Sequence, residues 1–466
     1  MRLDIELLTD AGLLNIPITT WPLSWGDLSE ALTLAAKQTK LSPALTLAVQ
    51  RLQHRARREV NWGIPQSEYT LALADNPLVQ RGFRDSSRGN GELNAAWSYL
   101  GERFSARIEV ALVANPDDER NVTMDGSYVG MAIGNTTVSL GFQDKWWGPG
   151  LESTLALSTN ARPIPGVLVK RNYSNPFEHP WLRWIGPWTA SFFIGEMESD
   201  RVVADARFIG GRIAFRPLPS LELGLTRTAQ WGGQGRDDSL DSFFDLLLGR
   251  DNVGDGGITA ANEPGNQMAG YDWRWRVIRG RFPVVFYGQL IGEDEAGGFP
   301  SRFLGQLGVT MTAPVAEYGA SVRTHVEFSD TTCQFYEASK LFDCAYQHPS
   351  YPSGYRFRGR SIGHSTDNDS RQIALGASFV SETGRYYSAT LRIAELNRGS
   401  MPANIPDPAH SLTSVPADFW AIDISHERPF YGGDVTLGVG YSKMEFAQGA
   451  PDRSEPRLIL EWKNSF

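Results

Sequence analysis

Long apolar runs are missing from this sequence, which contains no stretch of eighteen or more uncharged apolar residues. A helix that crosses a bilayer needs about 20 such residues, so no transmembrane helix is predicted. Basic residues are outnumbered, 44 against 53 acidic, which gives a net charge of −9. No basic patch with interleaved aromatic residues stands out to neutralise phosphates, so we expect no nucleic-acid partner.

A secretion signal is also missing at the start. Met1 and Arg2 are followed by DIELLTDAG, which has acidic residues where the apolar core of a signal peptide would lie. If the protein is exported, we expect this chain to be the mature form with its leader removed.

Cysteine is scarce, with only Cys333 and Cys344 in CQFYEASKLFDC. The ten residues between them form a loop short enough to close as a disulfide in an oxidising compartment. Two free thiols, the alternative, would suit a cytosolic protein. No Cys-x-x-Cys or paired histidine accompanies these cysteines, so we expect neither a metal site nor a cofactor.

The first 65 residues carry a helical pattern. In WGDLSEALTLAAKQ, Asp27 is predicted to cap a helix with Glu30 as its reciprocal partner. In LSPALTLAVQRLQHRARRE, Ser42 precedes Pro43 at the first helical position, where proline is tolerated. The sequence therefore predicts an N-terminal helical segment over residues 1–65.

After Pro65 the hydrophobic period changes to two. In GYDWRWRVIRG, Tyr271, Trp273 and Trp275 share one face, and charged residues occupy the other. FSARIEVAL and YGASVRTHVEF divide in the same way. About ten residues per tilted strand match the hydrocarbon thickness of a bilayer. This pattern predicts an all-β transmembrane barrel over residues 66–466, apolar outside and polar inside.

Connection lengths give the strand count. Brief turns such as ETGR and PLPS alternate with long segments such as 293–302 and 329–371, as in barrels with tight periplasmic turns and long external loops. We predict about 18 antiparallel strands, with a single strand within 143–187, the least regular region. An even count places both termini in the periplasm and the long loops outside the cell. RLILEWKNSF closes the barrel, and its terminal Phe466 resembles the signal that barrel-insertion machinery reads.

Several long motifs resemble the Wzi-type capsule assembly family. They are DKWWGPGLESTLALSTNARPIPGVLVKRN followed by NPFEHPWLRWIGPW, with TDAGLLNIPITTWPLSW near the start and CAYQHPSYPSGYRFRGRSIGHSTDNDS later. The resemblance implies an outer-membrane lectin, an eighteen-stranded barrel with a helical element at its periplasmic end. Such a protein helps to retain capsular or secreted polysaccharide on the bacterial surface, and its partners are that polysaccharide and outer-membrane lipid.

A polysaccharide site needs aromatic rings that stack on sugars and planar polar groups that hydrogen-bond hydroxyls. External loops are the expected location. The predicted carbohydrate-binding residues are Tyr351, Tyr355, Arg356, Arg358, Arg360, His364 and Asp367. An alternative is that these arginines pair with acidic groups inside the lumen. Asp367 and Asp369 form a lone DxD, which is a weak calcium signal.

Two further groups are predicted to pack inside the barrel. Trp146 and Trp147 could form a stacking platform, but a tryptophan pair beside a tight turn favours a packing anchor. Asn160 and Arg162, in NARPIPG, are predicted to belong to a buried polar network.

Three functional classes follow. A polysaccharide-binding protein is favoured because the loops and the helical segment supply enough mass to fill the lumen. The alternative is a porin or channel for saccharide or polysaccharide passage. An enzyme is disfavoured because no G-x-S-x-G motif stands in a strand-turn-helix setting. We expect a monomeric, non-enzymatic protein.

Overall fold

The computed structural model describes residues 1–38, 40–83, 87–248, 265–278, 282–296, 299–315, 319–399, 410–449 and 451–465. Its α-helices are α1 Arg2–Asp10, α2 Trp25–Ala36, α3 Pro43–Glu59 and α4 Leu240–Leu248, and 3-10 turns lie at Arg183–Ile185 and Ala447–Gly449. No helix in these ranges is long and apolar enough to span a membrane.

The strands follow in chain order. The first half of the chain contains β1 Thr20–Trp21, β2 Gln66–Ala74, β3 Gly91–Leu100, β4 Phe104–Ala114, β5 Val122–Thr123, β6 Tyr128–Ile133, β7 Thr136–Gly141, β8 Trp146–Trp147, β9 Gly166–Arg171, β10 Trp188–Glu196, β11 Arg207–Leu218 and β12 Leu221–Trp231. The second half contains β13 Gly265–Ile278, β14 Val284–Ala296, β15 Phe299–Val315, β16 Ala320–Asp330, β17 Arg356–Phe357, β18 Arg360–Ser361, β19 Arg371–Val380, β20 Tyr386–Leu396, β21 Ala417–Phe430, β22 Gly433–Phe446 and β23 Arg453–Ser465.

Eighteen of these strands form a closed antiparallel barrel, with β5 as an extra two-residue strand on β4. The seam joins β2 to β23, with Tyr69 opposite Asn464 and Leu73 opposite Leu460. The predicted eighteen-stranded barrel is confirmed. The region 143–187 contributes one barrel strand, β9, as predicted, while β8 pairs with β1 in a separate small sheet. Phe466 lies outside the described residues.

The barrel has a short-connection end and a long-connection end, and two connections depart from the prediction. β14 and β15 stay paired up to Ala296 and Phe299, so the predicted long loop over 293–302 is a tight hairpin. Residues 172–187 form a long connection at the short-connection end, between β9 and β10. The remaining long connections are 75–90, 115–127, 142–165, 197–206, 232–264, 331–370, 397–416 and 447–452, all at the long-connection end.

Side chains alternate between the outer wall and the lumen. On β13, Tyr271 and Trp275 are exposed on the outside, whereas Asp272, Arg274 and Arg276 are buried on the inside. A water-soluble sandwich would bury the apolar face instead. The inverted pattern is that of a strand whose apolar side faces lipid.

The N-terminal helices lie at the short-connection end, where α3 contacts β16. Ser24, rather than Asp27, caps α2, because its hydroxyl accepts the backbone N–H of Asp27 at 3.4 Å. The Asp27 carboxylate instead accepts the backbone N–H of Ser174. Ser42 caps α3, with Pro43 at the first helical position as predicted. The prediction of two helices also missed α1.

The lumen is entered from both ends. From the short-connection end, Asp10 of α1 accepts a hydrogen bond from Arg274 at 2.5 Å. Later in the same N-terminal segment, the backbone N–H groups of Ile18 and Thr19 donate to the carboxylate of Glu222 on β12, each at 2.9 Å. From the long-connection end, residues 142–165 descend as a lumen segment, and its β8 pairs with β1. The N-terminal segment and the lumen segment therefore meet inside the barrel.

Candidate functional site

The long loop, residues 331–370, connects β16 to β19 at the long-connection end and contains the small hairpin β17–β18. A disulfide joins Cys333 to Cys344 near its start. Most of the loop turns inward, and residues 361–370 are all buried. The loop thus covers the barrel mouth with its own hydrogen-bonded core.

The predicted sugar-contacting tyrosines lie inside this core. Tyr351 and Tyr355 are 1% and 0% exposed. The Tyr355 hydroxyl donates to the carbonyl of Ala156 at 2.7 Å and lies 2.7 Å from the hydroxyl of Thr228 on the lumen wall. The Tyr351 hydroxyl donates to the carbonyl of Gly232. These rings fasten the long loop to the lumen segment and the barrel, and they present no face to a sugar in solution.

Arg356 and Asp367 form a buried, bidentate ion pair within the long loop. Arg356 Nε lies 2.7 Å from Asp367 Oδ2, and Nη2 lies 2.8 Å from Oδ1. Asp367 Oδ2 also accepts the backbone N–H of Ser411 at 2.7 Å. Although burial alone would raise the pKa of Asp367, the charge of Arg356 and these hydrogen bonds lower it to about 2. The pair joins the long loop to the 397–416 connection.

Asp369 differs sharply from Asp367 although the two are near neighbours. Its Oδ2 accepts the backbone N–H of Asp343 at 2.8 Å, and burial raises its pKa to about 7. Asn368 lies between the two carboxylates and donates to both, with its backbone N–H to Asp367 Oδ1 at 2.9 Å and its side-chain amide to Asp369 Oδ2 at 3.2 Å. Within the described ranges, no group of three or more His, Cys, Asp or Glu side chains is arranged to hold a metal ion.

His364 is fully buried, and its Nδ1 lies 2.7 Å from the hydroxyl of Thr366. Burial lowers the pKa of His364 to about 3, which makes the ring a poor proton acceptor for catalysis. Its backbone N–H donates to the Tyr346 hydroxyl at 3.0 Å. His364 is therefore part of the buried core of the long loop.

Arg358 and Arg360 differ from the other predicted residues because both are partly exposed. The Arg358 guanidinium lies 5.0 Å from the centre of the Phe357 ring. Arg360 donates to Asp117 Oδ2 at 2.5 Å and to the carbonyl of Val79. Arg356 thus pairs with a buried acidic group, whereas the partner of Arg360 is the exposed Asp117 of the 115–127 connection rather than a group inside the lumen.

The residues predicted to pack inside the barrel lie in the interior of the molecule. Trp146 and Trp147 are 0% and 1% exposed, and Trp146 packs edge-to-face on Phe83 at 5.3 Å. The Asn160 side chain donates to the carbonyl of Ser361 at 3.0 Å. Arg162 pairs with Asp118 and Asp125.

Comparison with known proteins identifies the family. The model of the family "Capsule assembly protein Wzi" matches residues 65–455. The chain belongs to this family. A protein in the cps region of Klebsiella pneumoniae, described as an uncharacterized 55.8 kDa protein, is 35% identical over 310 residues. That alignment covers 66% of this chain and 59% of the relative's own length.

A solved structure shares the fold of this Wzi-family chain. It is Wzi of Escherichia coli, an outer-membrane protein involved in group 1 capsule assembly and a carbohydrate-binding β-barrel. The superposition has a TM-score of 0.85 at 24% identity and covers 100% of this chain and 97% of that one. At this level of identity the match shows the common barrel architecture.

Two features of the Wzi-family chain escaped the sequence prediction. First, Glu327 accepts the backbone N–H of Leu151 at 2.7 Å and the Tyr287 hydroxyl at 2.7 Å, which anchors the lumen segment. Second, Tyr336 and Phe342, within the disulfide loop, are 58% and 41% exposed. The aromatic residues between the two cysteines were the sequence signal available for the second feature.

Proposed function

We propose that this protein binds capsular or secreted polysaccharide at the surface of the outer membrane, supports its attachment or assembly there, and catalyses no reaction. Family membership supports this function, as does the carbohydrate binding of the E. coli protein that shares its fold. The observation that carries the proposal is the crossing of the lumen by two chain segments that are hydrogen-bonded to the wall. Such a barrel offers its external loops, rather than a pore, to a ligand.

The proposed orientation places the short-connection end in the periplasm. With eighteen strands, β2 begins and β23 ends at that end, so both chain termini lie in the periplasm. Residues 1–65 then form a periplasmic helical plug, and residues 66–466 form the barrel. The closed sheet leaves no unpaired edge to drive association, which supports a monomer among outer-membrane lipids. Insertion by the barrel-insertion machinery is part of the same proposal.

Among the predicted sugar-binding residues, Arg358 and Arg360 are proposed as direct contacts because they are partly exposed. The buried members are proposed to act indirectly, by holding the loop in place: Tyr351, Tyr355, Arg356, His364 and Asp367. We add Tyr336 and Phe342 as aromatic contacts.

Support for the aromatic contacts comes from the way their loop is held. The disulfide closes the loop, and the Phe335 ring lies directly over Gly305 of β15, where a Cβ would come within 2.2 Å of the ring. Tyr336 contacts this ring edge-to-face at 5.4 Å. A ring held in this way loses little conformational entropy when a sugar stacks on it.

Two double variants test this assignment, Tyr336→Ala with Phe342→Ala and Arg358→Ala with Arg360→Ala. Glu337→Gln, an exposed change within the same disulfide loop, is the control. Capsular polysaccharide of the source strain is titrated calorimetrically into detergent-solubilised protein. We expect at least one double variant to lose about tenfold in affinity, because truncating a central contact costs more than about 1 kcal/mol.

The outcomes separate the function from the site. If the wild-type protein binds no polysaccharide, the proposed function is wrong. If the wild-type protein binds and both double variants bind equally well, the function stands and the contact residues are wrong. Capsule retention on cells carrying the same variants should follow the measured affinities.

A further inference from the structure

Helix α4 packs on the outside of the barrel wall. Ile209, Ala229 and Trp231 point outward, since they share a strand face with the exposed Ile213 and Leu225. Yet all three are only 5–6% exposed, because they form a cluster with Leu246 and Phe243 of α4. One sector of the lipid-facing wall is therefore covered by a helix of the same chain.

Hydrogen bonds fix α4 in this place. The Trp231 indole N–H donates to the Ser242 hydroxyl at 3.1 Å. Arg227 donates to the carbonyl of Leu246 at 2.6 Å, in the last turn of the helix, where a cation is favourable. At the other end, the Ser239 hydroxyl accepts the backbone N–H of Ser242. The helix is thus anchored at both ends.

The opposite face of α4 exposes large apolar side chains. Leu240 is 74% exposed and Phe244 is 55% exposed. They lie one turn apart and share a face, while Asp241 is exposed about 100° around the helix. An apolar flank beside an exposed carboxylate is the pattern of a helix at a membrane–water boundary.

The height of α4 on the barrel agrees with that boundary. β12 has 11 residues from Leu221 to Trp231, and at about 3.3 Å per residue and a tilt of about 40° it rises roughly 25 Å. The apolar band of an outer-membrane barrel is about 25 Å tall. Trp231, on which α4 rests, therefore lies at the upper limit of the band that contains Leu225.

We infer that α4 is an interfacial helix whose Leu240 and Phe244 insert among the acyl chains of the outer leaflet. This inference rests on the proposed outer-membrane location and orientation. The exposed flank of α4 is assigned to lipid because it continues the apolar surface of the same sector of the barrel wall. On that surface Ile213 and Leu225 are 47% and 54% exposed. Asp241 then faces the aqueous side.

Single-cysteine labelling tests the inference. Both native cysteines are disulfide-bonded, so a thiol introduced without reductant is labelled selectively. Phe244→Cys and Leu240→Cys carry an NBD fluorophore in phospholipid bilayers, with Asp241→Cys as the matched water-facing control. Leu225→Cys reports on the lipid-facing wall. Heat-dependent gel migration verifies that each labelled barrel is folded.

We expect nitroxide at carbon 5 of the lipid chains to quench the labels at 225, 240 and 244 at least twofold more than the label at 241, and iodide in water to do the reverse. Quenching at 225 without quenching at 240 and 244 overturns the inference while the membrane location stands. Protection of 240 and 244 from both quenchers also overturns it, because a protein then covers the helix. Failure of lipid quenching at 225 overturns the membrane location and the inference together.

Discussion

Asp367→Asn is predicted to loosen the long loop without unfolding the barrel. The substitution keeps the size of the side chain but removes the charge that neutralises the Arg356 guanidinium. The two side chains are 0% and 4% exposed, so the substitution removes a charged partner from a buried guanidinium. Neither residue belongs to a barrel strand, so the closed sheet should persist.

The expected cost is about 3–5 kcal/mol, the usual penalty for removing one partner of a buried ion pair. At about 1.4 kcal/mol per tenfold, the local opening equilibrium of the loop should rise by about a hundred- to several-thousandfold. Acid should weaken the ion pair of the wild-type protein in the same way, because protonation of Asp367 also removes its charge. The pKa of Asp367 is lowered to about 2, so the stability it contributes is present above its unfolded pKa of about 3.9 and is lost as pH falls through 2.

Asp369→Asn is the matched control, two residues away. Among the described residues, Asp369 Oδ1 has no hydrogen-bond partner, and burial raises the pKa of this carboxyl to about 7. The neutral carboxyl of Asp369 therefore contributes stability that is fully present below a pH of about 4 and is lost as pH rises through 7 and the carboxyl ionises. Asparagine removes the buried charge and keeps an oxygen for the Asp343 N–H, so we expect stability at neutral pH to be unchanged or increased.

Amide hydrogen exchange of Tyr355 and Ile362 is the readout, because their N–H groups donate to carbonyls within the long loop. Asp367→Asn should speed exchange by the factor given above, and Asp369→Asn should not. Equal effects of the two substitutions would refute the reasoning from the buried pair. A loss of heat-dependent migration in Asp367→Asn would show instead that the pair stabilises the whole barrel.

Three other predictions follow from the lumen and the loop. Arg212→Ala should lower the free energy of unfolding of the barrel by about 3–5 kcal/mol in urea titrations, because the buried Asp272 loses its ion pair. Arg453→Ala, at an exposed ion pair, should change it by less than about 1 kcal/mol. Planar bilayers should show low conductance because two segments cross the lumen, and large, steady channels would favour a porin. Intact mass should increase by two hydrogen atoms when a thiol reductant cleaves the bond, and thiol labelling without reductant would contradict the Cys333–Cys344 bond.

The barrel could be predicted from sequence because its determinants are local. Each strand carries its own alternation, and turn lengths set the direction, so the predicted count of eighteen strands matches the observed barrel. The exceptions have long-range causes. Ser24 caps α2 instead of Asp27 because the carboxylate finds a partner 147 residues away at Ser174, which no pattern near the helix reveals.

The site was harder to predict because burial of a loop depends on distant partners. Tyr355 has the chemistry of a sugar-binding residue, but its position is set by Ala156 of the lumen segment and Thr228 of the barrel wall, 199 and 127 residues away in sequence. Helix α4 was missed for a related reason. LDSFFDLLL is short and lies within a connection that was predicted only as a long loop, and its packing partners Ile209 and Trp231 belong to strands β11 and β12.

The contacts of residues 16–20 with the inner wall constrain the order of assembly. Arg212 donates to the Thr19 and Thr20 hydroxyls, each at 2.8 Å, and Arg216 donates to the Ile16 carbonyl. These partners lie on β11, inside a ring that only the final strand, β23, closes. If the ring closed first, residues 16–20 would have to thread into the closed lumen from one end before Thr19 and Thr20 could reach Arg212. The N-terminal segment should therefore bind the nascent sheet before β23 meets β2, and a chain truncated before residue 453 should already protect residues 16–20 from protease.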